Sequence, residues 1–221
     1  MLGPAPRFVS RGGEKLDAAL ARFPVEVAGR RAVDVGASTG GFTDCLLQRG
    51  AAHVTAVDVG YGQLHERLRR DRRVTLLERT NVRYLTAGEV GGRVPLVVAD
   101  VSFISLRTIT PVLVGELAEP GGDLVLLVKP QFEAGRAEAS RGAGVITDPD
   151  VWLDTLRGVA SALQRAGAVM MDAMVSPLRG GHGNVEFLVR ALVDATARPS
   201  IDLAATVAEA SGGAEGRWLP S

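Results

Sequence analysis

Short β-branched runs alternate with helix-like stretches along most of this 221-residue chain. That alternation confines it to a parallel sheet with helices covering both faces. Strands read at 31–35, 53–58, 74–78, 94–100 and 123–129, with helical stretches near 41–49, 62–70 and 103–118 and one before the first strand at 12–22. A longer helix at 149–166 starts after Asp148-Pro149, an N-cap followed by proline at the first helical position. Its apolar residues Val151, Trp152, Leu156, Val159 and Leu163 recur at helical spacing. Two last strands, 168–175 and 184–192, are joined by Arg179-Gly-Gly-His-Gly-Asn184. So short a link allows an antiparallel pair but no crossover. The expected fold is therefore α/β: a mostly parallel seven-stranded sheet closed by a C-terminal antiparallel hairpin. Its length fits one sizeable domain. It divides into an N-terminal extension at 1–10, a domain at 11–192 and a tail at 193–221 with a short helical stretch, then a frayed Ser211-Gly-Gly-Ala-Glu-Gly216.

The first strand runs into Val33-Asp-Val-Gly36-Ala-Ser-Thr-Gly40-Gly-Phe42. Glycines there let the backbone turn from strand to helix. The spacing is not that of the dinucleotide fingerprint, because Ser38 stands where a second glycine would let the chain approach a pyrophosphate. Asp-x-Gly-x-x-x-Gly suits instead a nucleoside that carries an amino acid and no phosphate, which points to S-adenosylmethionine. The candidate cofactor residues in the turn are Asp34, Gly36, Ala37, Ser38, Thr39, Gly40, Gly41 and Phe42. A tight turn with no ligand is the alternative, and the strand ends that follow weigh against it. Asp58 closes the second strand, where a carboxylate can accept from both ribose hydroxyls. Tyr61 or Gln63 could flank the ligand, and Asn81, after the third strand, lies where adenine-edge contacts are expected. Asp100 ends the fourth strand and Lys129 the fifth, so Asp34, Asp58, Asp100 and Lys129 terminate four apolar runs on one sheet edge, where such folds bind ligands.

Of 25 basic residues only Lys15 and Lys129 are lysines; all the others are arginines. A lysine can shed its proton when desolvated, whereas a guanidinium effectively cannot. A general need for positive charge does not account for these two. Net charge is zero, with 16 basic and 11 acidic side chains in residues 1–110 against 9 and 14 in the remainder. That balance lacks the strong basic excess of a dedicated nucleic-acid binder. The basic candidates are Arg7, Arg11 and the cluster Arg69-Arg-Asp-Arg-Arg73, which reads more readily as a solvated helix end. No apolar run reaches the roughly 18 residues of a membrane span. The lone Cys45 excludes an internal disulfide and suits a cytoplasmic location. No metal site is expected.

Val9-Ser-Arg-Gly-Gly-Glu-Lys15-Leu, Gly36-Ala-Ser-Thr-Gly-Gly-Phe42, Asp58-Val-Gly-Tyr-Gly-Gln-Leu64, Glu78-Arg-Thr-Asn81, Asp100-Val-Ser-Phe-Ile-Ser-Leu106, Val128-Lys-Pro-Gln-Phe-Glu133 and Gly183-Asn-Val-Glu-Phe187 together resemble the TlyA-like, or haemolysin A, branch of the FtsJ-type ribosomal RNA 2′-O-methyltransferases. The resemblance runs from about residue 8 to 190. It implies a Rossmann-like class I methyltransferase that uses S-adenosylmethionine. It also implies a Lys-Asp-Lys-Glu tetrad for methylating a ribose 2′-hydroxyl, which by motif is Lys15, Asp100, Lys129 and Glu186. Lys129 would be the base and Lys15 would stabilise the developing alkoxide. Members usually begin with a small RNA-binding domain that this sequence lacks, so the expected substrate is ribosomal RNA or a ribosomal subunit delivered by a partner. A small-molecule hydroxyl on a nucleoside or sugar is the alternative. The haemolysin name suggests a membrane-active toxin, but no helix pairs a lysine-rich face with a broad apolar one.

Overall fold

A computed structural model describes residues 6–134, 144–194, 196 and 201–212. In chain order the elements are α1 (Arg11–Arg22), β1 (Arg31–Val35), α2 (Gly41–Gln48), β2 (His53–Val57), α3 (Glu66–Arg69), β3 (Val74–Leu77), β4 (Val94–Ala99) and α4 (Leu106–Val112), the last continued by a π-helical turn at Leu113–Leu117. Then come β5 (Ala118–Val128), α5 (Pro130–Glu133), α6 (Pro149–Ala166), β6 (Ala168–Val175), β7 (Phe187–Val193) and α7 (Leu203–Gly212). The seven strands lie in the order β3-β2-β1-β4-β5-β7-β6. The first five are parallel, and β7 inserts antiparallel to both β5 and β6. The expected mixed sheet with a terminal hairpin is what forms.

Both sheet faces are covered, which is why the strands read as nearly unbroken apolar runs. In β4, Leu96 and Val98 join a core with Leu16, Leu46 and Ala56 under α1 and α2. Val97 and Ala99, alternating with them, join the other core with Ile109, Leu156 and Phe187 under α4 and α6. Strand order reverses between β1 and β4. In doubly wound sheets a ligand crevice opens at that switch point, outside the carboxyl ends of the strands.

The helix read at 62–70 shrinks to the single turn of α3. Asp58 Oδ1 accepts from Gly60 N–H and Glu78 Oε1 from Gly62 N–H, each at 2.7 Å, so these residues are held as a loop until His65 caps the turn. The stretch read at 103–118 becomes helical only at Leu106, because Phe103 has a left-handed φ of 65° and Ser105 is the N-cap. Strand β5 starts earlier than read, since Ala118 pairs with Val94 before a register shift. The last strand starts later. Asn184 is diverted into side-chain bonds, accepting from Ile146 N–H and donating to Gly144 O, each at 2.9 Å. Helix α7 buries Val207 and Ala210. It takes in Ser211 and Gly212, and the rest of the stretch read as frayed lies outside the described residues. Among the described residues no helix is long and apolar enough to cross a membrane.

Candidate active site

Two adjoining cavities open at the carboxyl edge of the sheet. The larger, about 600 Å³, lies between the ends of β1, β2 and β4 and the loop after β3. Val35, Val57, Val59, Val82, Val101 and Ile104 give it apolar walls, with Asp58, Gln63 and Asn81 as polar points. The smaller, about 360 Å³, shares Gly36, Ser38, Asp100 and Ser102 with it. Arg11, Lys15, Ala37, Thr39, Gly41, Phe42 and Lys129 line the rest.

Backbone geometry sets this edge. Gly36 has φ +83°, and a Cβ there would meet the Asp100 carbonyl oxygen at 2.4 Å, so only glycine lets β1 leave the sheet against β4. Asp58 is held from both sides: Ser38 N–H donates to Oδ2 and Gly60 N–H to Oδ1, each at 2.7 Å. Its remaining lone pairs are the natural acceptors for a ligand's hydroxyls. Asn81 Oδ1 accepts from Arg83 N–H at 3.1 Å, which fixes that loop against the cavity.

Asp34 sits within β1 rather than at its end and is fully buried, so it lines neither cavity. Thr43 Oγ1 donates to its Oδ2 at 2.6 Å, while Oδ1 has no hydrogen-bond partner among the described residues. Burial raises its pKa to about 7; the Thr43 hydrogen bond works against this, and the charges of Asp100 and Asp58 add to it. Gly40 also lines neither cavity. It caps α2 in a left-handed conformation, with φ 101°, and packs under Leu64 and Leu68.

The two lysines arrive from opposite ends of the chain order. A Cβ on Gly41 would fall 2.2 Å from Ser10 Oγ and 2.8 Å from Gly13 N, so the bare glycine lets the start of α1 rest on the start of α2. That contact carries Lys15 inward, where Nζ meets Glu186 Oε2 at 2.5 Å with both side chains buried. Glu186 itself is behind Lys15 and lines neither cavity. Lys129 Nζ lies 2.5 Å from Asp100 Oδ1 and donates to Ser102 Oγ at 3.1 Å. That Asp100 oxygen satisfies no hydrogen-bond geometry, so the pair is primarily coulombic. The four residues thus form two lysine–carboxylate pairs, with Lys15, Asp100 and Lys129 on one cavity wall.

Three further residues shape the site, none of them among the residues expected to line it. Phe103 is 91% exposed in spite of its left-handed backbone, and it packs on Phe132 with ring centroids 5.3 Å apart. Glu133 is buried and accepts from Ser105 Oγ and Leu106 N–H at 2.5 Å each, and from Arg107 Nε at 3.2 Å. It therefore ties α5 to the loop after β4 and the start of α4. Gly180 leaves room for the Glu186 carboxylate, which a Cβ would approach to 1.9 Å. By contrast, most of the arginine cluster is taken up in ion pairs. Arg69 pairs with Glu78, Arg70 with Glu66 and Arg73 with Asp71, while the preceding Arg67 holds Asp44.

The cavity suits S-adenosylmethionine. It offers an apolar slot, a ribose-type carboxylate, and the acidic side chains Asp58 and Asp100 beside a buried Asp34, which favour a cationic ligand without phosphate. The family model described as FtsJ-like methyltransferase matches residues 8–191. The 16S/23S rRNA (cytidine-2′-O)-methyltransferase TlyA of Mycobacterium tuberculosis is 54% identical over 182 residues, 82% of this chain and 67% of that protein. Hemolysin A of Brachyspira hyodysenteriae is 40% identical over 191 residues, 85% of this chain and 78% of its own length. A crystal structure of a candidate haemolysin from Lactococcus lactis superposes with a TM-score of 0.89 at 42% identity, covering 94% of this chain and all of that one. With that match across both cavities and both lysine pairs, the chain belongs to the FtsJ-like methyltransferases and takes its methyl group from S-adenosylmethionine.

Proposed function

We propose that this enzyme methylates a ribose 2′-hydroxyl of ribosomal RNA in the cytoplasm, with Lys15, Asp100, Lys129 and Glu186 as its catalytic group. The observation that carries this reading is the pairing of the chain's only two lysines with Asp100 and Glu186 beside a nucleoside-sized cavity. The substrate named for the M. tuberculosis relative supports the choice of RNA.

Bound S-adenosylmethionine supplies a methyl group already activated as an electrophile by its sulfonium. Asp58 would hold its ribose, Asn81 the adenine edge, and the backbone from Gly36 to Phe42 the amino-acid end. What the protein must add is a place for the hydroxyl proton and a fixed geometry. Lys129, oriented by Asp100 and Ser102, is the group placed to take up the hydroxyl proton. Lys15, held by Glu186, faces the developing negative charge on oxygen with an ammonium already in place. Phe103 offers an exposed ring beside the cavity on which the target base can stack.

Incubating the protein with ribosomal subunits and labelled S-adenosylmethionine should put label on ribose oxygen, read by nuclease digestion and mass spectrometry. Label on a base, or only in low-molecular-weight extract, would overturn the assignment. Gly180→Ala should push Glu186 off Lys15 and slow methyl transfer by about a hundredfold, the cost of roughly an ångström of misplacement. Circular dichroism should show the fold kept. Wild-type turnover in that variant would detach Glu186 from the mechanism.

A further inference from the structure

Among the described residues, the large hydrophobic side chains left exposed are Val59, Tyr61, Tyr84 and Phe103, at 71, 68, 77 and 91%. Val59 and Phe103 line the larger cavity, and Tyr61 and Tyr84 are the chain neighbours of Gly60 and Arg83, which line it too. Exposed large apolar side chains grouped on the loops around one cavity point to an interaction site. Its composition narrows the partner. Arg79, in a left-handed conformation with φ 54°, places its guanidinium 4.3 Å from the Tyr61 ring centroid. Arg83 stands on the same rim, beside Tyr84.

Ring faces interleaved with guanidinium groups are the chemistry that holds unpaired nucleotides, bases on the rings and phosphates on the arginines. Tyrosine and arginine are also frequent at protein interfaces, but here they follow or flank residues that line a nucleoside-sized cavity, which favours a nucleotide strand. A nucleoside inside the cavity accounts for Val59, but Tyr61 and Tyr84 stand outside its lining. Around α3, by comparison, Arg67, Arg69, Arg70 and Arg73 are each engaged in an ion pair. Position agrees as well. The rim is built from the loops after β2 and β3, whereas Lys129 and Glu186 lie by β5 and β7, across the switch point. A strand whose target ribose reaches the lysines would lay its neighbouring nucleotides over this rim.

We propose that Tyr61, Arg79, Arg83 and Tyr84 form a second RNA contact that grips unpaired nucleotides next to the target. This inference rests on the RNA reading above. The test is the double variant Arg79→Ala/Tyr84→Ala, both positions lying on the rim outside the catalytic group. S-adenosylhomocysteine affinity by calorimetry should stay within about twofold of wild type, while affinity for a single-stranded oligoribonucleotide should fall about tenfold, as loss of a stacking contact predicts. Affinity for a blunt RNA duplex should fall far less. On ribosomal subunits KM should rise with kcat kept. Weakened S-adenosylhomocysteine binding would assign the rim to the cofactor, and unchanged RNA binding would free it for a protein partner; either result overturns the inference. If wild type methylates ribosomal RNA and the variant does so with the same KM, the inference alone fails. If wild type binds the oligonucleotide through the rim yet methylates no RNA, the catalytic reading fails instead.

Discussion

Lys129→Arg is expected to bind S-adenosylhomocysteine within a few-fold of wild type and to lose methyl transfer by about a thousandfold. Arginine keeps the positive charge, and with it the attraction to Asp100, which lies 2.5 Å from the lysine nitrogen. What it removes is any accessible neutral form, because a guanidinium does not deprotonate in proteins. A positioned base contributes about 10² to 10⁴ in rate, and the loss should fall in that span. Single-turnover methylation of ribosomal subunits at saturating cofactor isolates the step. A variant with near wild-type turnover would exclude Lys129 as proton acceptor and leave it a purely electrostatic part.

Asp58→Ala should act on binding instead. The carboxylate carries two backbone amides, Ser38 N–H and Gly60 N–H, each at 2.7 Å, and still has lone pairs directed at the cavity. Hydrogen bonds to a charged group contribute about 1.5–3 kcal/mol each, so removing the acceptor for two ribose hydroxyls should weaken cofactor binding by about a hundredfold or more. Asp58→Asn, which retains one acceptor oxygen, should fall between. Calorimetric titration with S-adenosylhomocysteine reads both. Unchanged affinity in the alanine variant would remove Asp58 from the ribose site. Loss of turnover that saturating cofactor fails to restore would point to collapse of the Gly36–Gly40 turn.

The strand Val94–Ala99 was legible because a sheet covered on both faces selects apolar residues at nearly every position. Glycine spacing at Gly36 and Gly40 was legible for a similar reason: the turn imposes φ +83° and +101° there. What failed were boundaries decided by partners remote in sequence. Leu106 opens α4 where it does partly because Glu133, far along the chain, takes its amide. Asn184 stays out of β7 because Ile146 and Gly144 claim its side chain. Among the site residues, Asp58, Asp100 and Lys129 could be read from their strand ends alone. Glu186 could not, since it lies before its strand and meets Lys15 only through the fold; motif resemblance supplied it. The charges of Arg69–Arg73 were visible as a cluster, but their neutralisation depends on carboxylates such as Glu78 that local reading does not link to them.

The insertion of β7 between β5 and β6 sets an order in time. Lys15 is made well before the carboxylate that neutralises it, which lies 171 residues further along. An ammonium shut away from water without its counter-ion is costly, so Lys15 is stable in its buried place only once the closing hairpin has brought Glu186 to it. The wall around Lys15 is therefore completed only by a segment far along the chain from α1.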